Sequence, residues 1–204
     1  MRHLIPFVAL AAALPATGVL AQTAPAPAPV PVRGTIESLS GPVLNVAERD
    51  GRTVAVSLAE AVTVTALEPT TLAAVKPGSY VGTAAVPGRD GTLQALELQV
   101  FPEAMRGVGE GSRPWDLTPQ SSMTNGTVSG EVEGNDGRTL TIQYGGGEKH
   151  VVVPASVPVV TYEPGSRALL VPGAHVILFA IPGADGALSA SRVTVGKDGL
   201  EPPM

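Results

Sequence analysis

The sequence predicts an all-β protein made of two tandem small five-stranded OB-like Greek-key barrels joined by a long loop. Three observations carry this prediction. Glycine (24 residues) and proline (20 residues) make up about a fifth of the 204 residues, which disfavours long helices because both residues destabilise helix interiors. Short segments alternate apolar and polar residues with a period of two, which is typical of half-buried strands. The same order of turns and strands also occurs twice along the chain.

The repeat is visible as four matched segments in the same order. The offset between the copies is 92 residues at the first match and 95 at the later ones: 34–36 with 126–128, 65–69 with 160–164, 76–81 with 171–176, and 86–95 with 181–190. A constant order and a nearly constant offset indicate a duplication. We therefore place repeat 1 at 33–101 and repeat 2 at 125–197, with a tail at 198–204.

Each repeat is predicted to contain five strands and one short helical turn before the fourth strand. In repeat 1 the strands are expected at 33–39, 43–47, 53–58 with an extension at 62–67, 80–86 and 92–100, with the helical turn at 70–75. In repeat 2 they are expected at 126–133, 139–144, 149–161, 175–181 and 187–195. This order favours a small Greek-key barrel of the OB type. Two open β-meanders packed as one sandwich are the alternative.

The last strand of repeat 1 alternates regularly between two residue types. Leu96, Leu98 and Val100 are predicted to point to one face of the sheet, and Glu97 and Gln99 to the opposite face.

The N-terminus has the three parts of a secretory signal peptide. Arg2 and His3 form a short basic start, an apolar run occupies 4–13, and small or modest residues precede a cleavage site after Ala21. The apolar run is about half of the roughly 20 residues that a membrane-spanning helix needs. We therefore expect cleavage of residues 1–21 rather than a membrane anchor.

The segment at 22–32 is rich in alternating proline and alanine. Such a sequence favours an extended, semi-rigid spacer, and a ligand for a proline-recognition domain is the alternative.

The chain contains no cysteine, which excludes disulfides, thiolate metal sites and lipid attachment through cysteine. The mature protein is expected to be soluble, non-lipidated and periplasmic, with no membrane span.

Composition argues against two large classes of function. The net charge is −5 and no run of lysine or arginine occurs, so nucleic acid is not an expected partner. Charged residues make up 15% of the chain, and the mature part has two histidines, His150 and His175. Because this offers little for a catalytic cluster, we predict a non-enzymatic binding or interaction module. Its partner would be an unknown envelope protein, peptide or polymer.

The connector at 102–124 is the candidate site, because it has no counterpart inside either repeat and long loops often carry function. It contains the single tryptophan, Trp115, and the methionines Met105 and Met123. With Arg106 and Asp116, these residues are the predicted ligand-binding set. The alternative is structural, with Trp115, Met105 and Phe101 plugging a barrel end or the interface between the repeats.

A copper-type metal-binding protein or carrier is the second predicted function. Thioethers are soft ligands that suit Cu(I), and a tryptophan face attracts cations. Met105 and Met123 would supply the sulfur atoms, and His150 or His175 would join them from repeat 2. The same residue types bind Cu(I) in periplasmic carriers with small OB-type barrels, but there they are closely spaced on strands.

The chain also resembles a bacterial family of exported proteins with tandem domains of unknown function. The resemblance lies in the motifs at 34–36, 72–78, 90–95 and 185–190, and in the connector motifs between 101 and 125. It implies tandem OB-like β-barrels and export. Some members of this family carry metal-transporter permease labels, which the lack of any predicted spanning segment here opposes.

Overall fold

The computed structural model describes residues 27–134 and 137–204, and this part of the chain is all-β. The predicted signal peptide at 1–21 and residues 22–26 of the predicted spacer at 22–32 lie outside the described residues. The first strand begins at Val30, so the last residues of the predicted spacer already belong to the sheet. Within the described residues, the model contains no helix with the length and hydropathy required to cross a membrane.

Thirteen strands and four short 3-10 helices make up the described part. The strands are β1 (Val30–Ser40), β2 (Val43–Glu48), β3 (Thr53–Pro69), β4 (Tyr80–Pro87), β5 (Leu93–Ala95), β6 (Leu98–Phe101), β7 (Gly111–Pro114), β8 (Ser122–Gly134), β9 (Gly137–Tyr144), β10 (Gly147–Pro154), β11 (Val159–Pro164), β12 (His175–Pro182) and β13 (Leu188–Gly196). The 3-10 helices are Leu72–Ala74, Glu103–Met105, Arg167–Leu169 and Lys197–Gly199.

Every strand predicted from the repeat is present, and the helical turn predicted at 70–75 is the 3-10 helix at Leu72–Ala74. Two predicted strands are divided. The segment at 92–100 forms β5 and β6, and the segment at 149–161 forms β10 and β11. The connector is also more regular than its sequence predicts, because it contains β7 and the beginning of β8.

Five strands close into a mixed barrel in the order β1-β2-β3-β13-β12 and back to β1. The β3–β13 pair is parallel and the other four pairs are antiparallel. The interior is filled by aliphatic side chains, with Leu44, Val46 and Val56 from one side and Leu178 and Val193 from the other. Closure of the ring leaves these five strands without an unpaired edge.

The closed barrel takes strands from both repeats. Strands β1 to β3 belong to repeat 1, whereas β12 and β13 belong to repeat 2. The sequence led us to expect that each repeat would close on itself. The boundaries at 33–101 and 125–197 stay predictions about the repeated sequence unit, and the barrel is not confined to either of them.

The remaining strands continue the same hydrogen-bonded sheet. Strand β4 pairs with β5, β6 and β8, strand β10 pairs with β5 and β9, and β8 pairs with β9 and β7. A second buried cluster lies among these strands and includes Val81, Leu98, Leu140, Ile142 and Val151. This half of the sheet therefore also combines strands of both repeats.

Strands β3 and β11 join the two halves through an antiparallel pair. Leu67 lies opposite Tyr162, and these two residues occupy equivalent positions in the repeats, 95 residues apart. The register is therefore self-complementary, as it is at a two-fold interface. Around this pair a third buried cluster contains Tyr80, Phe101 and Ile177, and a cleft opens beside it.

Candidate functional site

A half-open cleft of about 580 Å³ lies between the connector and the outer face of strands β12 and β13. Most of the side chains that line it are apolar, aromatic or thioether-bearing. They are Thr65, Gln99, Phe101, Met105, Val108, Gly109, Arg113, Trp115, Met123, Asn125, Tyr162, Ile177, Leu178, Phe179, Ile181, Ser191, Arg192, Thr194 and Met204. The volume is in the range of small-molecule sites.

The connector forms one wall of this cleft because it folds back along β8. Arg113 of β7 lies opposite Met123 of β8 in the ladder. Beyond the ladder, the Trp115 amide donates to the Ser121 carbonyl at 2.8 Å, and the Ser121 hydroxyl donates to the Trp115 carbonyl at 2.9 Å. These hydrogen bonds fix the backbone that presents the tryptophan and the methionine to the cleft.

The Trp115 ring lies among two guanidinium groups and one aromatic ring. The Cζ atoms of Arg33 and Arg113 are 5.6 Å and 5.7 Å from the centre of the indole ring, and the Phe179 ring centre is 6.0 Å away. The indole Nε1–H is shielded from solvent and has no acceptor among the described residues. The ring is thus held by cation–π contacts, while its one donor is unused.

An ion pair fastens the connector to the barrel. The Arg33 guanidinium donates to both carboxylate oxygens of Asp116, at 2.7 Å and 2.9 Å, and its Nε donates to the Met204 carbonyl at 3.0 Å. The guanidinium holds the pKa of the Asp116 carboxyl below its ordinary value, mainly through these hydrogen bonds. Bidentate geometry makes this pair more specific than a single contact between surface charges.

A buried polar chain lies behind the cleft. The Tyr162 hydroxyl donates to Gln99 Oε1, and Gln99 Nε2 donates to Glu97 Oε1 at 3.1 Å. The Ala84 amide also donates to Glu97 Oε1, at 2.6 Å. Gln99 and Tyr162 line the cleft, whereas Glu97 lies one step deeper and is fully buried.

Alternation places Glu97 and Gln99 on the face opposite Leu98 and Val100, and that face is not exposed to solvent. Both are buried, at 0% and 3% exposure. The strand is interrupted between β5 and β6, and the Glu97 carboxylate accepts the Ala84 amide hydrogen bond where the ladder is broken. A side chain that replaces a backbone acceptor must turn inward, and simple alternation does not predict this.

Burial controls the ionisation of this polar chain. Removal from water raises the pKa of Glu97 to about 7, against the opposing effect of the hydrogen bonds from Ala84 and Gln99. Burial also raises the pKa of the Tyr162 hydroxyl, with a smaller contribution from the Glu97 charge. The second carboxyl oxygen of Glu97, Oε2, is buried without a partner among the described residues.

Three of the five predicted ligand-binding residues meet in the cleft. Met105, Trp115 and Met123 all line it. Asp116 is instead paired with Arg33 outside the lining. Arg106 is also outside it: it is paired with Glu103 at 2.6 Å, donates to the Gly78 carbonyl and lies over the Tyr80 ring.

The predicted metal-ligating residues are separated. Neither His150 nor His175 lines the cleft that holds Met105 and Met123. His175 Nδ1 is 3.2 Å from the Thr35 hydroxyl. His150 is exposed on β10, and its Nε2 atom is 3.4 Å from Glu148 Oε1. Across the two described ranges, no group of three or more His, Asp or Glu side chains is arranged to hold a metal ion.

Sequence reasoning missed several cleft residues. Ile177, Phe179 and Ile181 share one face of β12 by simple alternation, and two of them remain exposed, at 46% for Phe179 and 41% for Ile181. Arg192 occupies the position in repeat 2 that Glu97 occupies in repeat 1. A comparison of the repeats would therefore have singled it out as a change in the sign of the charge. Arg113, Met204 and Tyr162 gave no comparable signal in the sequence.

The fold and the site define an all-β protein with a five-stranded mixed barrel and an aromatic and methionine-lined cleft beside it. Comparison with protein-family models, curated proteins and solved structures found no match.

Proposed function

We propose that this protein is a non-enzymatic binding module whose ligand lies in the cleft between the connector and the barrel. The supporting observation is the lining itself. Met105, Trp115 and Met123 from the connector side face Phe179 and Ile181 on β12 across a volume of about 580 Å³. A concave apolar surface with a few polar groups is the usual form of a small-molecule site.

Binding, rather than catalysis, fits the titratable groups of this cleft. The ionisable side chains among its lining residues are Arg113, Arg192 and Tyr162. Burial raises the pKa of the tyrosine hydroxyl, which makes it a poor base near neutral pH. General acid–base chemistry needs a group that titrates near the working pH at the reacting atom, and we therefore assign these residues to ligand contact.

The compartment and the finer architecture are parts of the same proposal. The signal-peptide pattern at 1–21 supports export to the periplasm. The ring of pairings β4-β5-β10-β9-β8 and back to β4 supports a second barrel, and the strand order of the closed barrel supports an OB-like assignment. The cleft is lined by no residue of β2, so this site differs from the strand 2–3 face that OB folds commonly use.

A fluorescence titration with the neutral apolar dye N-phenyl-1-naphthylamine tests the binding site. Saturable 1:1 binding, with energy transfer from Trp115, is expected. Val108 is an exposed lining residue, and Val108→Tyr should fill part of the cleft and weaken binding roughly tenfold. Val132→Tyr is the matched control, because Val132 is exposed at the far end of β8 and does not line the cleft. Equal affinity in both variants would place the dye elsewhere.

A Cu(I) site is the second candidate, and one observation favours it. Met105, Met123 and Met204, which are all the methionines of the described residues, line the same cleft. Thioether sulfur is a soft ligand that suits Cu(I). We place this function second because Arg33 and Arg113 lie against the Trp115 ring, and two positive charges there oppose a bound cation.

The copper candidate has its own measurement. If it is right, one equivalent of Cu(I) under reducing conditions quenches the Trp115 fluorescence, and Met123→Leu removes the effect while preserving the apolar volume. His150→Gln should change nothing, because His150 lies outside the cleft. A flat titration in the unaltered protein would dismiss this candidate and leave apolar binding untouched.

A further inference from the structure

We propose that the ligand of the cleft is a single-chain anionic amphiphile, such as an alkyl carboxylate, whose acidic headgroup binds Arg113 and Arg192. The alkyl chain would lie along the apolar wall of the connector and β12. This inference deepens the function proposed above and rests on it, because it names the chemical class that the same cleft would hold.

The charged side chains that line the cleft have one sign. Arg113 and Arg192 are its charged lining side chains, and the lining includes no aspartate or glutamate. The whole chain has a net charge of −5, so the cleft carries positive side chains on a protein that is negatively charged as a whole. Clefts of one charge in low-dielectric surroundings concentrate ions of the opposite charge, which here means anions.

The donors of these two arginines are largely unused. Within the described residues neither arginine forms an ion pair, whereas Arg33, Arg49, Arg52, Arg106 and Arg138 do. Arg113 makes one side-chain hydrogen bond, from Nη1 to the Gly109 carbonyl at 2.9 Å, and Arg192 makes none within the described part. A guanidinium group has five N–H donors in a fork that matches a carboxylate or a phosphate.

The apolar wall explains why the anion should carry an alkyl chain. Ile177, Phe179 and Ile181 lie in a row on one face of β12, and the last two keep 46% and 41% of their surface exposed. Exposed large apolar side chains grouped beside a cleft are typical of a binding surface.

Displacement of N-phenyl-1-naphthylamine compares three ligands of one chain length below their micelle concentrations: dodecanoate, dodecanol and dodecyltrimethylammonium. Dodecanoate should displace the dye at least tenfold more effectively than dodecanol, and the cationic amphiphile should be the weakest. Its advantage should shrink as salt is added, because salt screens exposed charges. Each added methylene should tighten binding by up to roughly fourfold.

Two variants locate the headgroup. Arg192→Gln and the double variant Arg113→Gln/Arg192→Gln should bring the dodecanoate-to-dodecanol affinity ratio progressively towards one. Because both affinities are measured on one sample, a general loss of folded protein changes them together and leaves the ratio unchanged. Arg89→Gln is the matched control, since Arg89 is exposed in the β4–β5 hairpin and does not line the cleft.

The outcomes separate this inference from the proposed function. If the dye does not bind at all, the proposed function fails. If the dye binds but dodecanoate and dodecanol compete equally, the function stands and the anionic headgroup is refuted. Displacement by inorganic phosphate alone would refute the need for an alkyl chain. Co-sedimentation with anionic phosphatidylglycerol vesicles, without displacement by dodecanoate, would indicate a membrane surface and would also overturn the inference.

Discussion

Glu97→Gln is expected to stabilise the protein above neutral pH and to flatten the dependence of its stability on pH. In the folded protein, burial raises the pKa of this carboxyl from 4.5 to about 7. Between these values the folded protein holds a proton that the unfolded chain has released. The free energy of unfolding therefore falls as pH rises from about 4.5 to about 7, and it stays low at higher pH.

The size of this effect follows from the difference between the two pKa values. At about 1.4 kcal/mol for each pH unit, the buried charge lowers stability by about 3 kcal/mol once it is fully ionised. Glutamine keeps the Oε1 acceptor for the Ala84 amide and the Gln99 side chain, and it cannot ionise. Urea unfolding at pH 5 and pH 8 measures the result: the stability of the variant relative to the unaltered protein should rise by about 2 to 3 kcal/mol between these conditions, because part of the loss has already occurred at pH 5.

Glu37→Gln is the control for this measurement. Glu37 is an exposed carboxyl on β1, so its replacement removes the same charge from the chain without changing the interior. It should leave the pH dependence of the unaltered protein in place. Parallel stability curves for Glu97→Gln and the unaltered protein would mean that Glu97 is ionised at no cost in its buried site, and the prediction would be refuted.

Local signals in the sequence predicted the strands well. Period-two alternation and Asp-Gly or Pro-Gly turns depend on neighbouring residues, and they placed β1, β2 and β4 within a few residues of their observed bounds. These signals are physical properties of a strand and its turn. They are therefore readable in one sequence without knowledge of the partner strand.

The pairing of strands between the repeats could not be predicted in this way. Because the repeats resemble each other, β12 presents to β1 much the same pattern that β4 would present. Register in a sheet is set by the buried face and by the turn. Pairing of β1 with β4 and pairing of β1 with β12 would both bury the same face of β1. The self-complementary β3–β11 pair, with Leu67 opposite Tyr162, joins the two halves of the sheet, in which strands of both repeats are combined. Neither residue type predicts this pairing by itself.

The candidate site was predictable in part for a related reason. Trp115, Met105 and Met123 stood out because their residue types are rare in this chain. Arg113 and Arg192 did not, because arginines are common on surfaces and their importance comes from the absence of a neighbouring carboxylate. Such an absence is a property of the folded arrangement. Asp116 stands out in the sequence as a connector charge, but its partner is Arg33, 83 residues away.

Gly34→Ala and Gly126→Ala are expected to be among the most destabilising single substitutions in this protein. The two glycines are the first residues of the repeated Gly-Thr-Ile/Val motif. A Cβ atom on Gly34 would overlap the Ala47 carbonyl, and one on Gly126 would overlap the Gln143 carbonyl, far inside the 3.4 Å at which ordinary contact begins. Both obstacles are backbone atoms of a paired strand, which cannot rotate away as a side chain would.

Relief of either overlap requires the paired strands to separate, so each substitution should lower the free energy of unfolding by about 3 kcal/mol or more. Gly130→Ala is the control, because it lies on the same strand as Gly126 and its Cβ would have its nearest neighbour at 3.9 Å. It should change stability by no more than about 0.5 kcal/mol. Urea unfolding of the three variants distinguishes close backbone approach from a general intolerance of alanine in these strands. Equal losses of stability at all three positions would refute the explanation by close backbone approach. Similar large losses at Gly34 and Gly126 alone would show that both repeats need glycine at this position for the same steric reason.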